Sequence, residues 1–190
     1  MRRSALFAVI FAAATQSLAA QAPIVQQAGA PNEPKRYTFE FSGGIGFTSV
    51  DKNKWATGVA LDDWNQMGYA ADARLFFANA GPAQFGAEAG YRYFWYYEAL
   101  YAGTRIYRDV AATRLGAVAR LPIAQQLAFD LGGAVYVFDG FTDPGVSAAL
   151  VYQVPAGPIT LPLHFRTDVV MDSDAMMIHS GITLGFGVKF

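Results

Sequence analysis

From Arg36 onward the apolar residues recur at every second position, in segments of about ten residues separated by turn chemistry, which is the period of a half-buried strand. Eight such segments can be marked. The first, near Tyr37 to Phe47, sets Tyr37, Phe39 and Phe41 against Thr38, Glu40 and Ser42. The second, near Gly68 to Phe77, sets Tyr69, Ala71, Ala73 and Leu75 against Asp72 and Arg74. In the third, Phe85, Ala87, Ala89, Tyr91, Tyr93 and Trp95 share one face, and Glu88 and Arg92 the other. The fourth, near Ala111 to Leu121, alternates Leu115, Ala117, Ala119 and Leu121 with Arg114 and Arg120. Leu127, Phe129, Leu131, Val135 and Val137 oppose Asp130 and Tyr136 in the fifth, and Val146, Ala148, Leu150 and Tyr152 form the apolar face of the sixth. The seventh sets Leu161, Leu163, Phe165 and Val169 against His164, Arg166 and Asp168. The eighth sets Ile182, Leu184, Phe186, Val188 and Phe190 against glycines, Thr183 and Lys189.

The connections alternate in length. Ala78 to Pro82, Pro122 to Gln125 and Pro155 to Pro158 are short, Thr48 to Met67 and Tyr96 into Arg108 are long, and those near Asp139 to Pro144 and Met171 to Ala175 are intermediate. That asymmetry, with an even strand number, predicts a closed eight-stranded antiparallel up-and-down transmembrane β-barrel, with tight turns and both chain ends on the periplasmic side and longer loops outside.

Period two alone also fits a soluble barrel, such as a lipocalin-like carrier, and volume separates the two readings. An eight-stranded barrel leaves an interior just wide enough for side chains to fill. The apolar face is bulky and the other face is rich in Gly, Ala, Ser and Thr, so the second set is expected inside and the first against lipid. The lumen is then expected to hold Glu40, Asp72, Glu88, Asp130 and Asp168 facing Arg74, Arg92, Arg114, Arg120, Arg166 and Lys189. Charges in so narrow a space must be paired to offset their desolvation, so near balance predicts a plugged interior. Aromatics gather near strand ends, Tyr93, Trp95, Tyr96 and Tyr97 at the outer side and Phe76, Phe77, Tyr152 and Phe190 at the inner, as interfacial girdles do.

Composition narrows the partners. The chain is 53% apolar and 15% charged, more apolar than a soluble domain of this size usually buries, yet after the N-terminus no apolar run is long enough for a membrane-spanning helix. A net charge of -1 gives no footprint for nucleic acid. Cysteine is absent, which removes disulfides, thiolate metal sites and cysteine nucleophiles together. Arg2 and Arg3, the short apolar run from Ala5 to Ala14 and the small residues around Ser17 to Ala22 predict an export signal over residues 1–20. Residues 21–35, rich in Gln, Ala and Pro, then read as a periplasmic linker, and residues 36–190 as the barrel domain.

The last ten residues, Gly181 to Phe190, alternate apolar positions and finish on phenylalanine. This strand resembles the C-terminal signature of Gram-negative outer-membrane barrels. With the signal sequence and eight segments, the chain is similar to the small barrels of the outer-membrane protein A and X type. The resemblance implies that the barrel-assembly machinery reads this strand through Phe186, Val188 and Phe190, that outer-membrane lipids and lipopolysaccharide surround the barrel, and that export follows the general secretory route to the outer membrane. No peptidoglycan-binding domain is expected within these residues.

Small barrels of this kind include lipid-A-modifying enzymes, so nucleophile and base pairs matter. The histidines are His164 and His179. His179 adjoins Ser180, but neighbours on a strand face opposite ways. Pairing His179 with Ser173, or His164 with Asp168, requires an assumption about loop or strand geometry, and the His-x-Ser pattern of barrel deacylases is missing because Gly181 follows Ser180. No cofactor is expected. Asp172-Ser173-Asp174 has a spacing compatible with a divalent cation, within loops that are net acidic although Lys52, Lys54, Arg105 and Arg108 stand among them. The reading reached is a non-enzymatic outer-membrane barrel with a structural or surface-interaction role. Its contact loops would be Ser49 to Gln66 and Tyr97 to Arg105, with Trp55, Trp64 and Tyr101 as candidate anchors for an extracellular ligand. A lipid-modifying enzyme, a narrow channel and a soluble carrier stand as the alternatives.

Overall fold

The computed structural model describes residues 37–50, 60–171 and 176–190, without the side chains of 60–64, 99 and 101. The expected export signal, the linker and the Asp172-Ser173-Asp174 run lie outside them, as does Trp55. Nine strands follow one another with no helix among the described residues: β1 (Thr38–Ser49), β2 (Ala60–Asn65), β3 (Met67–Ala80), β4 (Ala83–Tyr101), β5 (Thr104–Pro122), β6 (Leu127–Val137), β7 (Thr142–Ala156), β8 (Ile159–Met171) and β9 (Met176–Lys189). Because β2 and β3 are successive pieces of one stave, broken at Gln66, the barrel has eight staves. Each pairs antiparallel with its neighbour, and the ring closes where β1 meets β9, from Thr38 opposite Lys189 to Ser49 opposite Ile178. Tyr37 and Phe190 extend that closure by exchanging backbone hydrogen bonds of 2.8 and 3.0 Å.

Alternation of side chains sorts the residues onto two surfaces. Thr38, Glu40 and Ser42 of β1, Asp72 and Arg74 of β3, and His164, Arg166 and Asp168 of β8 are buried inside. Their sequence neighbours Phe41, Ile45 and Phe47, Tyr69 and Leu75, and Phe165 are exposed outside. The same holds around the ring, with Leu115, Leu131, Leu150, Ile182, Leu184 and Phe186 on the exterior. A soluble barrel has the reverse arrangement. Glycine makes part of this wall possible: a Cβ at Gly86 or Gly185 would run into the carbonyl of Leu75 or Phe41 on the adjacent stave.

The structure departs from the sequence reading at the outer end. Tyr97 to Arg105, expected as a loop, is strand, turn and strand: β4 runs to Tyr101 and β5 starts at Thr104, directly opposite it. The turn residues Ala102 and Gly103 have φ of 49° and 80°, the double positive pattern of a two-residue hairpin. Inside the other expected loop, β2 pairs with β4 from Ala60 opposite Leu100 to Asn65 opposite Tyr96. Residues 60–65, 96–101 and 104–109 therefore form a three-stranded extension beyond the end of β6, whose last partner on β5 is Thr113. Period two failed there because a strand beyond the closed ring has no lumen to face and needs no alternation, as the mostly exposed residues Thr104 to Asp109 illustrate.

Two expected girdle aromatics are also displaced inward. Between Tyr93 and Trp95 β4 carries a bulge: Tyr93 faces Ala111 and the next pair is Trp95 with Val110. The extra residue, Phe94, reverses the phase, so Phe94 and Trp95 are both fully buried. Phe76 shares the inward phase of Asp72 and Arg74, and its ring lies 4.4 Å beneath the Arg120 guanidinium.

Candidate functional site

The lumen is built in three tiers. At the end where Tyr37 pairs with Phe190, Arg120 lies between two carboxylates. It donates to Glu40 at 2.5 and 2.8 Å and to Asp130 at 2.7 and 2.8 Å, two bidentate forks from one guanidinium. Gln153 adds a long contact of 3.4 Å to Glu40.

The middle tier is one connected network. Asp72 accepts from Arg74 at 3.2 Å and is gripped by both terminal nitrogens of Arg92 at 2.9 and 3.0 Å. Arg92 Nε also donates to Asp168 at 3.0 Å. Arg166 joins Asp168 at 3.0 Å to Glu88 at 3.1 Å, and Glu88 is bonded in turn by Arg114. Arg114 donates to the Tyr136 hydroxyl at 2.9 Å and to Ser147 at 3.0 Å, while the Tyr136 hydroxyl donates to Asp168 at 2.8 Å. His164 is buried here with Arg74 Nη1 at 3.2 and 3.4 Å from its two ring nitrogens, which sets that nitrogen over the ring.

By charge, the first tier holds two acids and one arginine and the middle tier three acids and four arginines. Each tier is off neutrality by one, in opposite senses, so the lumen balances as a whole. Five carboxylates meet five arginines, all buried. Lys189, expected as a member, is not in the network: it sits at the barrel rim, exposed, with no ion pair among the described residues. A flexible ammonium at the last strand position reaches water at little cost, whereas the five arginines are held by rigid neighbours.

The outermost tier is apolar. Phe94, Trp95, Val110, Ala112, Phe138, Val170 and Met177 close over the charges, together with the ring of Tyr136. Under this cap His179 Nδ1 lies 2.8 Å from Thr48 Oγ1, and Thr48 donates to the Phe94 carbonyl at 2.9 Å. The imidazole is therefore the donor to the hydroxyl, and the Phe94 ring meets it edge-on at 5.5 Å. The hydroxyl partner of His179 is thus Thr48. Ser180 points to the exterior, where it bonds Thr167 at 3.0 Å, and Ser173 lies outside the described residues. The sequence does not reveal Thr48, which stands where the alternation gives way to an expected loop, nor the inward turn of Phe94 and Trp95, since nothing in the alternation marks a bulge.

The outer surface of the extension carries exposed Leu100 and Tyr107 and a solvent-facing pair, Arg105 to Glu98 at 2.9 Å. Trp64 and Tyr101 fall on β2 and at the end of β4 by their backbones. At the other end, Phe186 and Phe190 are exposed on the outer wall, with Phe190 stacked on Tyr37 at 5.9 Å, and Val188 is half-buried. Among the described residues no group of His, Cys, Asp and Glu is placed to hold a metal ion.

No family profile matches this chain, and no curated protein sequence matches it. Among solved structures it is similar to the outer membrane protein Ail of Yersinia pestis in a phospholipid nanodisc, at 15% identity over 80% of this chain and 99% of that one, with a TM-score of 0.48. Neisserial surface protein A is similar at 14% identity over 83% and 98%, with a TM-score of 0.47. A de novo designed transmembrane β-barrel is similar at 10% identity over 84% and 98%, with a TM-score of 0.43.

Proposed function

We propose that this chain is a non-enzymatic outer-membrane barrel: a plugged stave ring that anchors an outward three-stranded extension as an interaction surface. One observation carries the reading. Ten charged side chains are buried in the lumen while large apolar side chains cover the exterior, an arrangement that is favourable only where the surrounding medium is hydrocarbon.

The plug follows from charge and volume. Five carboxylates and five arginines neutralise one another, and an apolar cap lies over them, so ions have neither a continuous wet path nor an unbalanced charge to follow. Against an enzyme, the hydrogen-bonded hydroxyl and imidazole pair described, Thr48 with His179, is sealed under that cap, and its hydroxyl hydrogen is engaged by the Phe94 carbonyl. The contact surface is the extension with the residues from Ser49 to Gln66, and Trp55, Trp64 and Tyr101 are its proposed anchors for an extracellular ligand. Phe186, Val188 and Phe190 on β9 are the proposed signal to the barrel-assembly machinery, after export by the general secretory route. Lipid and lipopolysaccharide are the proposed surroundings of the wall.

The test is gel mobility of outer-membrane fractions with and without boiling, combined with planar-bilayer recording. A boiling-dependent shift with no conductance steps is expected. A soluble protein without a shift refutes the membrane reading, and regular conductance steps refute the plug.

A further inference from the structure

The outward faces of β8 and β9 are apolar in nearly every row. On β8 they present Leu161, Leu163, Phe165, Val169 and Met171, and on β9 Met176, Ile178, Ile182, Leu184 and Phe186. One row differs. Thr167 and Ser180 are register partners, both outward, with their hydroxyl oxygens 3.0 Å apart. Their small side chains leave a notch of about 570 Å³ walled by Ile45, Phe47, Met67, Phe165 and Ile182. Thr167 is four residues from the end of β8, and at roughly 3.4 Å per residue with a tilt of about 40° it sits about 10 Å below that end. On the membrane reading proposed above, the row lies in the outer half of the wall, two apolar rows below its end.

Two hydroxyls carry two O–H donors, and their mutual bond uses one. No other side-chain partner for either is present among the described residues. Hydrocarbon offers the second donor nothing, and an unmet donor in lipid is costly. The notch is shallow and open on its outer side, so an occupant lies along the wall and is not enclosed by it. The donor is flanked by Phe165 and Ile182 on one side and Phe47 and Met67 on the other, which suits an aliphatic chain bearing one acceptor near its polar end.

We infer that the Thr167–Ser180 notch is a lipid site: it seats one acyl chain of a membrane lipid and donates a hydrogen bond to that lipid's ester or amide carbonyl. The inference rests on the membrane reading. Lipids with the carbonyl are distinguished from lipids without it, because an ether-linked chain fills the same volume and accepts far less well.

The test uses the full barrel in nanodiscs containing equal parts of ester-linked and ether-linked phosphatidylethanolamine of the same chain length. Lipid retained after gentle delipidation is then counted by native mass spectrometry. Retention of about one lipid, with about a fivefold preference for the ester, is expected from one hydrogen bond. The double variant Thr167→Val with Ser180→Ala, both on the exterior, should insert normally and lose the preference. Equal retention of ester and ether lipid by the unaltered protein overturns the site, as does an unchanged preference in the double variant. A dimer that dissociates in the double variant assigns the notch to a second copy and also overturns it. Failure of the unaltered chain to enter nanodiscs refutes the membrane reading itself, whereas insertion without discrimination refutes the notch alone.

Discussion

Arg120→Met replaces a buried guanidinium by an apolar side chain of similar reach and leaves Glu40 and Asp130 facing each other without a cation. The three groups are 3% exposed or less, so water does not take over the lost role. Removing one partner from a buried pair costs about 3–5 kcal/mol, mostly for the charge left behind. Here two carboxylates lose four short hydrogen bonds and the Phe76 ring loses its cation, so the upper part of that range applies. The folding constant should fall by roughly a hundredfold to several thousandfold. The assay is urea unfolding of the barrel refolded into lipid vesicles, followed by tryptophan fluorescence and by gel mobility, with the denaturant slope required to stay constant. The triple variant Glu40→Leu, Arg120→Met, Asp130→Leu should recover most of the loss, since apolar replacement of a whole buried ion cluster is often neutral or stabilising. Arg105→Met, which removes an arginine that is 66% exposed, should cost less than about 1 kcal/mol. A loss below about 1 kcal/mol for Arg120→Met, or no recovery in the triple variant, would mean that the first tier is hydrated and the plug argument wrong.

Three further outcomes follow from local geometry. Gly68→Ala should destabilise the barrel by about 1–3 kcal/mol in the same urea assay, because its methyl would meet the Tyr93 carbonyl beside the β4 bulge; a neutral result would remove the bulge as a fixed feature. Ala102→Asn should tighten the hairpin by about 0.5–1 kcal/mol, since a left-handed φ suits asparagine better than alanine, and limited proteolysis near residues 100–105 should slow; faster cleavage would contradict the turn. In a double-mutant cycle of Thr48→Val and His179→Ala, a coupling of about 1 kcal/mol is expected, and zero coupling would dissolve the pair.

The alternation of residues such as Tyr69 to Leu75 or Leu161 to Val169 made the barrel wall legible, because lipid on one side and a narrow lumen on the other impose opposite demands on neighbouring positions. Where one demand is missing the sequence is silent. β2 and the ends of β4 and β5 extend beyond the last β5–β6 pair and have no lumen to face, so their strand character has no period to reveal it. The inversion at Phe94 and Trp95 depends on one extra residue in β4 relative to β5, a relation between strands that neither strand's own pattern contains. The residues of the charged lumen could be assigned to a face but not to partners: Glu40 and Arg120 meet across the barrel from β1 and β5, and only closure brings them together. Lys189 obeyed the phase but not the depth, being at the rim.

The seam between β1 and β9 has a kinetic meaning. Every other neighbouring pair of staves is joined by a connection between consecutive strands, whereas the seam unites the first stave with the last. Non-local pairing of that kind carries the loop-closure penalty for the whole chain and makes folding slow. Until the seam zips, the arginines and carboxylates of the interior face an open sheet, and the membrane can accept that sheet only with its charges still shielded. Bilayer entry and seam closure should therefore be a single slow step. Moving the chain break to the Ala102–Gly103 turn, with the present ends joined, would turn the β1–β9 pairing into a local hairpin and make β4 and β5 the seam, so one closing step as slow as before should remain.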